Sequence, residues 1–413
     1  MNDFELVIVG GGLASARAIK SYREEGGAGR ILLVSKDSVL PYHRPPLSKS
    51  YLRGETEAVE ALVESANFYV DHDVEVLLET AVARIDSRER AVEIEGGLRH
   101  RYGKLLIASG ARARRLASPG ANLPGVFSLR SLSDSTVIRE AANQAREALV
   151  VGGGFIGMEV AASLRHLGLE VTLINRASGL FQALEAPELE REVAIFFADH
   201  DVNLLLLDQV AAFCGRSHVD SIETEIGKRL ATDFVVAGIG AEPVVDFLAG
   251  SGVELDNGVV VGERFETSVP NIYAAGDVAN FYDSLFDRRR RIEHWSNANY
   301  QGERVGRILA GGDGGYDTVS TFFSEIFGLT LKVFGDLSGH SELVVRGSLS
   351  DRNLLGFYLQ QGRLVATLAV GQEKQTEEEL QLLIKQQVVL DSGLLADPST
   401  DISSFLKPAA NER

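Results

Sequence analysis

Residues 5–15 read ELVIVGGGLAS, and residues 148–159 read ALVVGGGFIGME. Both have the same order: an apolar strand, a glycine-rich turn and the start of a helix. Each leads to a second β-branched strand, ILLVS at 31–35 and VTLIN at 171–175. That makes two βαβ units, whose first glycines, Gly10 and Gly152, lie 142 residues apart. In such a turn the first glycine makes the tight bend and the second lets the backbone approach a pyrophosphate. The helix behind offers free N–H groups at the positive end of its dipole. The first copy supplies Gly10, Gly12, Leu13 and Ala14, with Ser15 where a third glycine or alanine is usual. Ser15 is small enough to keep helix and strand close. The second copy is complete, with Gly152, Gly154 and Gly157. Two such turns imply two dinucleotides, one retained and one exchanged as a substrate.

The end of the second strand in each unit is where a ribose-binding acid is expected. The first unit has Ser35, Lys36 and Asp37 there, and Asp37 can still reach an adenosine ribose. The second has Asn175 followed by Arg176. An acid would favour NADH through its 2′-hydroxyl, whereas an arginine accepts a 2′-phosphate, so this unit leans toward NADPH. A plain surface charge is the other reading of Arg176.

Composition limits the alternatives. A chain of 413 residues has room for two or three domains, and 45% hydrophobic with 24% charged residues is an ordinary globular balance. Cys214 is the only cysteine, which excludes an intramolecular disulfide, a Cys-x-x-Cys pair and Cys-ligated zinc or iron–sulfur sites. It is expected to be a small buried apolar residue. No metal-binding motif and no Gly-x-Ser-x-Gly elbow occurs. A net charge of −17 argues against nucleic acid as a partner. With no targeting segment and no apolar run of membrane-spanning length, a cytoplasmic protein is expected.

The rest of the chain fills in the architecture. KLLIASGA (104–111), DFVVAGIGAEP (233–243) and NIYAAGDVA (271–279) read as strands ending in small-residue turns, the last with an acid at a helix start. LTLKVFG, ELVVRGS, NLLGFYLQ and RLVATLAV, all beyond Tyr316, read as antiparallel strands, and TEEELQLLIKQQVVL (376–390) as an amphipathic helix. The polar tail from Leu395 to Arg413 is expected to pack loosely. The fold class is α/β, with two Rossmann-like dinucleotide-binding domains and a C-terminal α+β domain. The expected domains are residues 1–116 with 244–318, then 117–243, then 319–413. The second is inserted into the first, because the AAGD strand needs a sheet to join.

PYHRPPLSKSYL (41–52) sets three prolines beside Arg44 and Lys49. It is too proline-rich for a helix and too basic for a core strand, so an extended backbone is expected. With VGGGLAS, ASGARARR, VVGGGFIGMEVA, VAGIGAEP, AAGDVA and RIEHWSNA in this order, nearly the whole chain resembles the FAD-dependent pyridine-nucleotide oxidoreductases of glutathione-reductase-like fold. Within them it is similar to the ferredoxin reductases of the putidaredoxin-reductase and biphenyl-dioxygenase-reductase type, and to apoptosis-inducing factor and monodehydroascorbate reductase. The resemblance implies a tightly but non-covalently bound FAD, with NAD(P)H as substrate. It places Arg44 and Pro45 along FAD, Lys49 near the flavin N5 edge as a catalytic residue, and Glu159 as that lysine's partner. Asp277, after Gly276, would bond the ribityl chain at a helix N-terminus. Glu293, His294 and Trp295, with Ala298 behind them, would lie by the pyrimidine end, and His294 is not expected to act as an acid. Phe155, followed by Ile156, would cover the flavin face before nicotinamide enters. The cofactor-binding set is completed by Ala81, Val82, Ala108, Ser109, Gly110 and Arg130, and by Gly238, Ile239 and Gly240.

Disulfide-reducing relatives carry a Cys-x4-Cys pair where this chain reads RPPLSK, so here electrons must leave the flavin directly. The leading expectation is an NAD(P)H:ferredoxin reductase feeding an oxygenase. A reductase of a quinone or monodehydroascorbate-like radical is one alternative, and a redox-sensing flavoprotein like apoptosis-inducing factor another. A small, acidic iron–sulfur ferredoxin would dock on a local basic patch, for which Arg288, Arg289, Arg290 and Arg291 are the candidates. Monomer and homodimer both stay open. One departure concerns the acceptor side: TVSTFFSEIFG (318–328) stands where related reductases have a proline–tryptophan segment.

Overall fold

The computed structural model describes residues 3–406. Its contacts divide the chain into two compact units. The first gathers Met1–Pro45, Glu57–Arg112 and Ala241–Thr318, and the second Pro46–Thr56, Ala113–Gly240 and Val319–Arg413.

The first unit is built on a parallel sheet in the order Val74–Leu77, Ile31–Val34, Phe4–Val9, Arg99–Ile107. Its inner strands are apolar along their length because the sheet is covered on both faces: Leu6, Val7, Ile8, Leu32 and Leu106 have no exposed surface. The nine-residue strand Arg99–Ile107 has two partners. Its first half pairs antiparallel with Ala91–Ile94, and its second half pairs in parallel with Ile272–Ala274. The AAGD strand thus completes the sheet that ELVIV begins. Helix Leu13–Glu24 lies against helix Trp295–Leu309 in backbone contact, since a Cβ on Gly302 would stand 2.5 Å from the Ala14 carbonyl oxygen.

The second unit contains a five-stranded parallel sheet, ordered Val202–Leu206, Glu170–Asn175, Glu147–Val151, Phe234–Ala237, Val126–Ser128. A three-stranded antiparallel sheet, Val210–Cys214, Ser221–Thr224 and Arg229–Ala231, is inserted in the chain between its strands Val202–Leu206 and Phe234–Ala237. The third sheet is antiparallel, in the order Thr321–Ile326, Leu329–Gly335, Arg363–Val370, Asn353–Gln360, Glu342–Ser348. Helix Lys374–Gln386 is buried through Leu380, Leu383 and Ile384.

Several local expectations need correction. Residues 45–48 form a single 3-10 turn, Pro45–Ser48, instead of extended backbone. Proline's fixed φ suits the first turn of a helix, where its missing N–H is not needed. Asp277 sits on a one-turn 3-10 segment, Gly276–Val278, that runs directly into strand Ala279–Asp283, so no α-helix begins there. That strand pairs with Arg288–Arg290, which turns the arginine run into a strand. Cys214 ends strand Val210–Cys214 and is half-buried rather than in the core. The tail is docked as far as Leu406. Arg346 donates from Nε to the Leu395 carbonyl at 2.9 Å and from Nη1 to that of Thr400 at 3.1 Å, and Ile402 is buried. The expectation for residues 407–413 lies outside the described residues.

Candidate active site and nucleotide turns

The two glycine turns are built alike. Gly10 and Gly152 have φ of +114° and +106°, and a Cβ at either would strike a carbonyl oxygen of the next strand over, 2.2 Å from Ala108 and 2.5 Å from Gly238. The residue in the expected acid position fills the space beneath the middle glycine in each copy. A Cβ on Gly11 would lie 2.2 Å from Ser35 Oγ, and one on Gly153 2.7 Å from Asn175 Nδ2. Asn175 is thereby turned inward: its Oδ1 accepts from the Gly153 amide at 3.2 Å, and its Nδ2 donates to the Gly179 carbonyl at 2.7 Å. Arg176, next in sequence, is exposed.

Gly12 and Gly154, the last of the three consecutive glycines in each copy, differ from the two before them. Gly12 caps helix Leu13–Glu24, and the nearest atom to a Cβ built there is Arg44 Nη1, at 3.8 Å. Gly154 caps helix Phe155–His166 and has nothing within 4 Å of its Cβ position. Each turn is closed on the sheet side and open at its helix N-terminus, and in the first a guanidinium stands at the opening. That arrangement fits the pyrophosphate of FAD. Ser15 donates to the Gly10 carbonyl, so the hydroxyl in place of the third glycine braces the turn from within.

Other candidates of the first unit gather near it. Tyr42 donates to Asp37 at 2.6 Å, which anchors the carboxylate offered to a ribose, and Lys36 beside it is exposed. Ser109 donates to the Val244 carbonyl at 2.8 Å, and the Gly110 carbonyl accepts from the Val244 amide at 3.0 Å. Gly276, at φ +79°, leaves its Cβ position 3.1 Å from Ala14 and 3.9 Å from Ala298. Leu13, Ala14 and Ala298 are buried. Ala81 and Val82 open strand Val82–Asp86 and follow Glu79 and Thr80, whose amides donate to the Asp37 and Ser35 carbonyls at 3.0 and 2.8 Å.

The segment 291–295 is tied to its surroundings. Arg291 pairs with Glu293 and donates to the Asp277 carbonyl at 2.9 Å. Burial pushes His294 down to about 4, against the pull of Asp277 and with the help of Arg290, so its imidazole is neutral at pH 7. Trp295, 36% exposed, donates from its indole N–H to His43 Nδ1 at 2.9 Å. Burial, then the charge of Arg17, lowers His43, which keeps that nitrogen an acceptor. In the arginine run, Arg290 is paired with Asp283 at 2.8 Å, and Arg289 donates to the Val261 and Asn280 carbonyls at 2.9 and 3.2 Å. Arg288 is exposed at the start of its strand.

In the second unit Lys49 and Glu159 meet. Their side chains form an ion pair of 2.7 Å, with Lys49 7% and Glu159 4% exposed. Two hydroxyls not singled out from the sequence complete the group: Ser48 donates to Glu159 Oε2 at 2.5 Å, and Ser324 donates to Oε1 at 3.0 Å. The 3-10 turn is held in place by its carbonyls. Ser135 donates to Leu47 and Ser163 to Ser48, at 2.7 and 2.6 Å. Phe155 lies edge-on to Phe181 and Phe322, with centroids 4.5 and 4.8 Å away. Ile156 beside it is 38% exposed. At the neck of the turn a Cβ on Gly157 would lie 1.9 Å from the Gly152 carbonyl oxygen, and one on Gly238 2.8 Å from the Gly157 nitrogen. Ile239 packs on the Gly152 side, and Gly240, at φ +96°, accepts from the Arg114 amide at 3.0 Å. Arg130 precedes helix Leu132–Ala142, its amide on Asp134 at 3.0 Å. The sequence marks Ser324 only as a serine set among phenylalanines, in FFSEIF, which does not by itself point to Glu159.

Comparison with known proteins follows the same lines. Residues 4–302 match the family model described as pyridine nucleotide-disulphide oxidoreductase, and residues 321–406 match one described as reductase C-terminal. The chain is 35% identical over 416 residues to the 5,5'-dehydrodivanillate O-demethylase ferredoxin reductase subunit of a Sphingobium species, covering 98% of this chain and 99% of the relative. It is 31% identical over 407 residues to the benzene 1,2-dioxygenase system ferredoxin–NAD(+) reductase subunit of Pseudomonas putida, covering 98% of both. Among solved structures, it superposes on the reductase of the covalent putidaredoxin reductase–putidaredoxin complex with a TM-score of 0.93, at 31% identity and 98% coverage of each chain.

Proposed function

This chain belongs to the pyridine nucleotide-disulphide oxidoreductase family, and on that premise we propose that it is the FAD-dependent NAD(P)H:ferredoxin reductase of an oxygenase system. One observation supports this most: two glycine turns, each closed on its sheet side and open at a helix N-terminus, in a chain with a single cysteine. Two dinucleotides can be held, and no dithiol stands between them. When bound, FAD accepts a hydride and releases its electrons singly, which suits an iron–sulfur acceptor.

The residues divide the work as follows. The Gly10–Gly12 turn and Arg44 hold the FAD pyrophosphate, and Asp37, anchored by Tyr42, takes the adenosine ribose. The Gly152–Gly157 turn holds the nucleotide substrate, and Phe155 covers the face that nicotinamide approaches. Lys49 would hold a cation where bound FAD gains negative charge, and Glu159 fixes that cation. Residues 1–116 with 244–318 bind FAD, 117–243 bind NAD(P)H, and 319–413 form the C-terminal domain. Arg176 supports NADPH through a 2′-phosphate, whereas the benzene dioxygenase relative is named for NAD(+). Docking of the acidic ferredoxin falls to the run Arg288, Arg289, Arg290 and Arg291, of which Arg288 and Arg289 are exposed. The setting is cytoplasmic, where NAD(P)H is made.

Anaerobic double-mixing stopped flow tests the reading. NADH or NADPH bleaches the flavin absorbance in the first mix, and a [2Fe–2S] ferredoxin restores it within the turnover time in the second. Bleached protein that persists for minutes with ferredoxin present would refute the assignment.

A further inference from the structure

Strand Thr321–Ile326 opens the C-terminal sheet, yet two of its side chains reach the helix of the second glycine turn. Phe322 lies edge-on to Phe155, and Ser324 donates to Glu159. The spacing explains the match. Residues two apart on a strand share a face and span about 6.6 Å. Residues four apart on a helix share a face and span about 6 Å. The strand therefore runs along the helix, and its face reads Phe155 and Glu159 in order. Phe323, between them, lies with its ring centroid 5.9 Å from Lys49 Nζ.

Ser324 is fully buried, and its hydroxyl is spent on a carboxylate instead of on its own sheet. Ser320, just before the strand, shows the ordinary use, donating to the Gly335 carbonyl of the neighbouring strand at 2.8 Å. An ionised carboxylate offers about four acceptor positions. On Glu159, Oε2 takes Ser48 and Lys49, and Oε1 takes Ser324. The first two donors come from the same short segment and hold one oxygen only. Ser324, from a different element, holds the other oxygen and so fixes the plane of the carboxylate.

We propose that Ser324 is a positioning residue for hydride transfer, acting through Glu159: its hydroxyl locks the carboxylate that aims the Lys49 ammonium. This rests on the reading of Lys49 and Glu159 given above. The strand that carries the family's C-terminal domain is thereby part of the nucleotide-reacting machinery.

The test is a double-mutant cycle on the FAD-loaded protein, with Ser324→Ala, Glu159→Gln and the pair. Two quantities are read: the limiting rate of flavin bleaching at saturating NADH or NADPH, and the dissociation constant of NAD+ or NADP+ for the oxidised protein. Ser324→Ala is expected to slow the limiting rate about tenfold, since misplacement by ~1 Å costs ~100-fold and a loosened group costs less. The dissociation constant should change less than about twofold, because the pyrophosphate turn is untouched. In the Glu159→Gln background, Ser324→Ala should add nothing, and Ser324→Thr, which keeps the hydroxyl, should restore most of the rate. Ser324→Cys keeps the volume while weakening the donor, so the result does not depend on the alanine variant folding. A slow Glu159→Gln variant beside an unaffected Ser324→Ala would overturn the role of Ser324 alone. So would a Ser324→Ala loss of equal size in both backgrounds. An unaffected Glu159→Gln would overturn the reading of the ion pair, and this inference with it.

Discussion

Gly157 and Gly154 lie three residues apart in one turn, and the structure assigns them opposite sensitivities. A Cβ on Gly157 would sit 1.9 Å from the Gly152 carbonyl oxygen, with backbone on that side and no flexible side chain to yield. An ordinary carbon–oxygen contact is about 3.3 Å, so Gly157→Ala must open the gap by about 1.4 Å. Strand Glu147–Val151 lies deep in the parallel sheet, so helix Phe155–His166 is what moves, carrying Phe155 and Glu159 with it. Overpacking of this kind costs about 3 kcal/mol. Displacing reacting groups by ~1 Å lowers rates about 100-fold. A Cβ on Gly154 meets no atom within 4 Å, so Gly154→Ala should leave stability within about 0.5 kcal/mol. It should instead weaken nucleotide binding about tenfold, by standing where the backbone approaches the pyrophosphate. The assay takes FAD content from the absorbance ratio, a thermal melt, and the NAD(P)H concentration dependence of flavin bleaching. Both variants should keep FAD, because its turn belongs to the other unit. Wild-type bleaching by Gly157→Ala, or a lower melting temperature for Gly154→Ala, would show that the turn is not built as described.

Four further outcomes follow from the same geometry. Lys49→Met leaves Glu159 its two hydroxyl donors but removes the cation, so flavin bleaching at saturating nucleotide should slow at least about 100-fold with FAD retained; a rate within twofold of wild type would remove Lys49 from the mechanism. Arg176→Glu should raise the NADH-to-NADPH ratio of kcat/KM about tenfold or more, and an unchanged ratio would make Arg176 surface charge only. Arg288→Glu should raise the ferredoxin KM about fivefold at low salt, with the difference fading at high salt and NAD(P)H reduction unaffected; equal ferredoxin kinetics would move the docking site elsewhere. His294 titrates at about 4 when folded and near 6.5 when unfolded, so between those values the unfolded chain binds more protons and stability falls as pH drops. The loss reaches at most about 3 kcal/mol, and urea unfolding at pH 7 and pH 4.5 should show His294→Gln losing less than wild type over that interval.

Much of the fold was legible because its signals are local. A strand followed by three glycines and a helix is a short-range pattern, and both copies formed where the pattern placed them. The four C-terminal strands were read from alternation and turn residues alone. The errors came where local preference had two outlets. Consecutive prolines permit an extended chain or a 3-10 turn, and it is the bonds from Ser135 and Ser163 to the Leu47 and Ser48 carbonyls that select the turn. The acid of AAGD looked like a helix start, but the Ala279–Asp283 segment found a partner strand in the arginines. At the site, motif positions named Lys49 and Glu159, whereas Ser324 stood 165 residues from Glu159 and belonged to no glycine motif. A contact at that separation depends on tertiary packing, which single-sequence periodicity does not encode.

The chain passes between its two compact units five times, at 45/46, 56/57, 112/113, 240/241 and 318/319. This constrains its synthesis. The sheet begun by Phe4–Val9 lacks its Ile272–Ala274 strand until most of the polypeptide has been made. At roughly 5–20 residues per second, that wait is on the order of 15–60 seconds, during which an apolar sheet edge stays open. Neither unit is a contiguous stretch that could be expressed alone, and a protease cut at 56/57, 112/113 or 240/241 leaves each half holding pieces of both units. Release from the ribosome before residue 272 therefore leaves the sheet of the first glycine turn without its last strand, although the sheet of the second turn is already made.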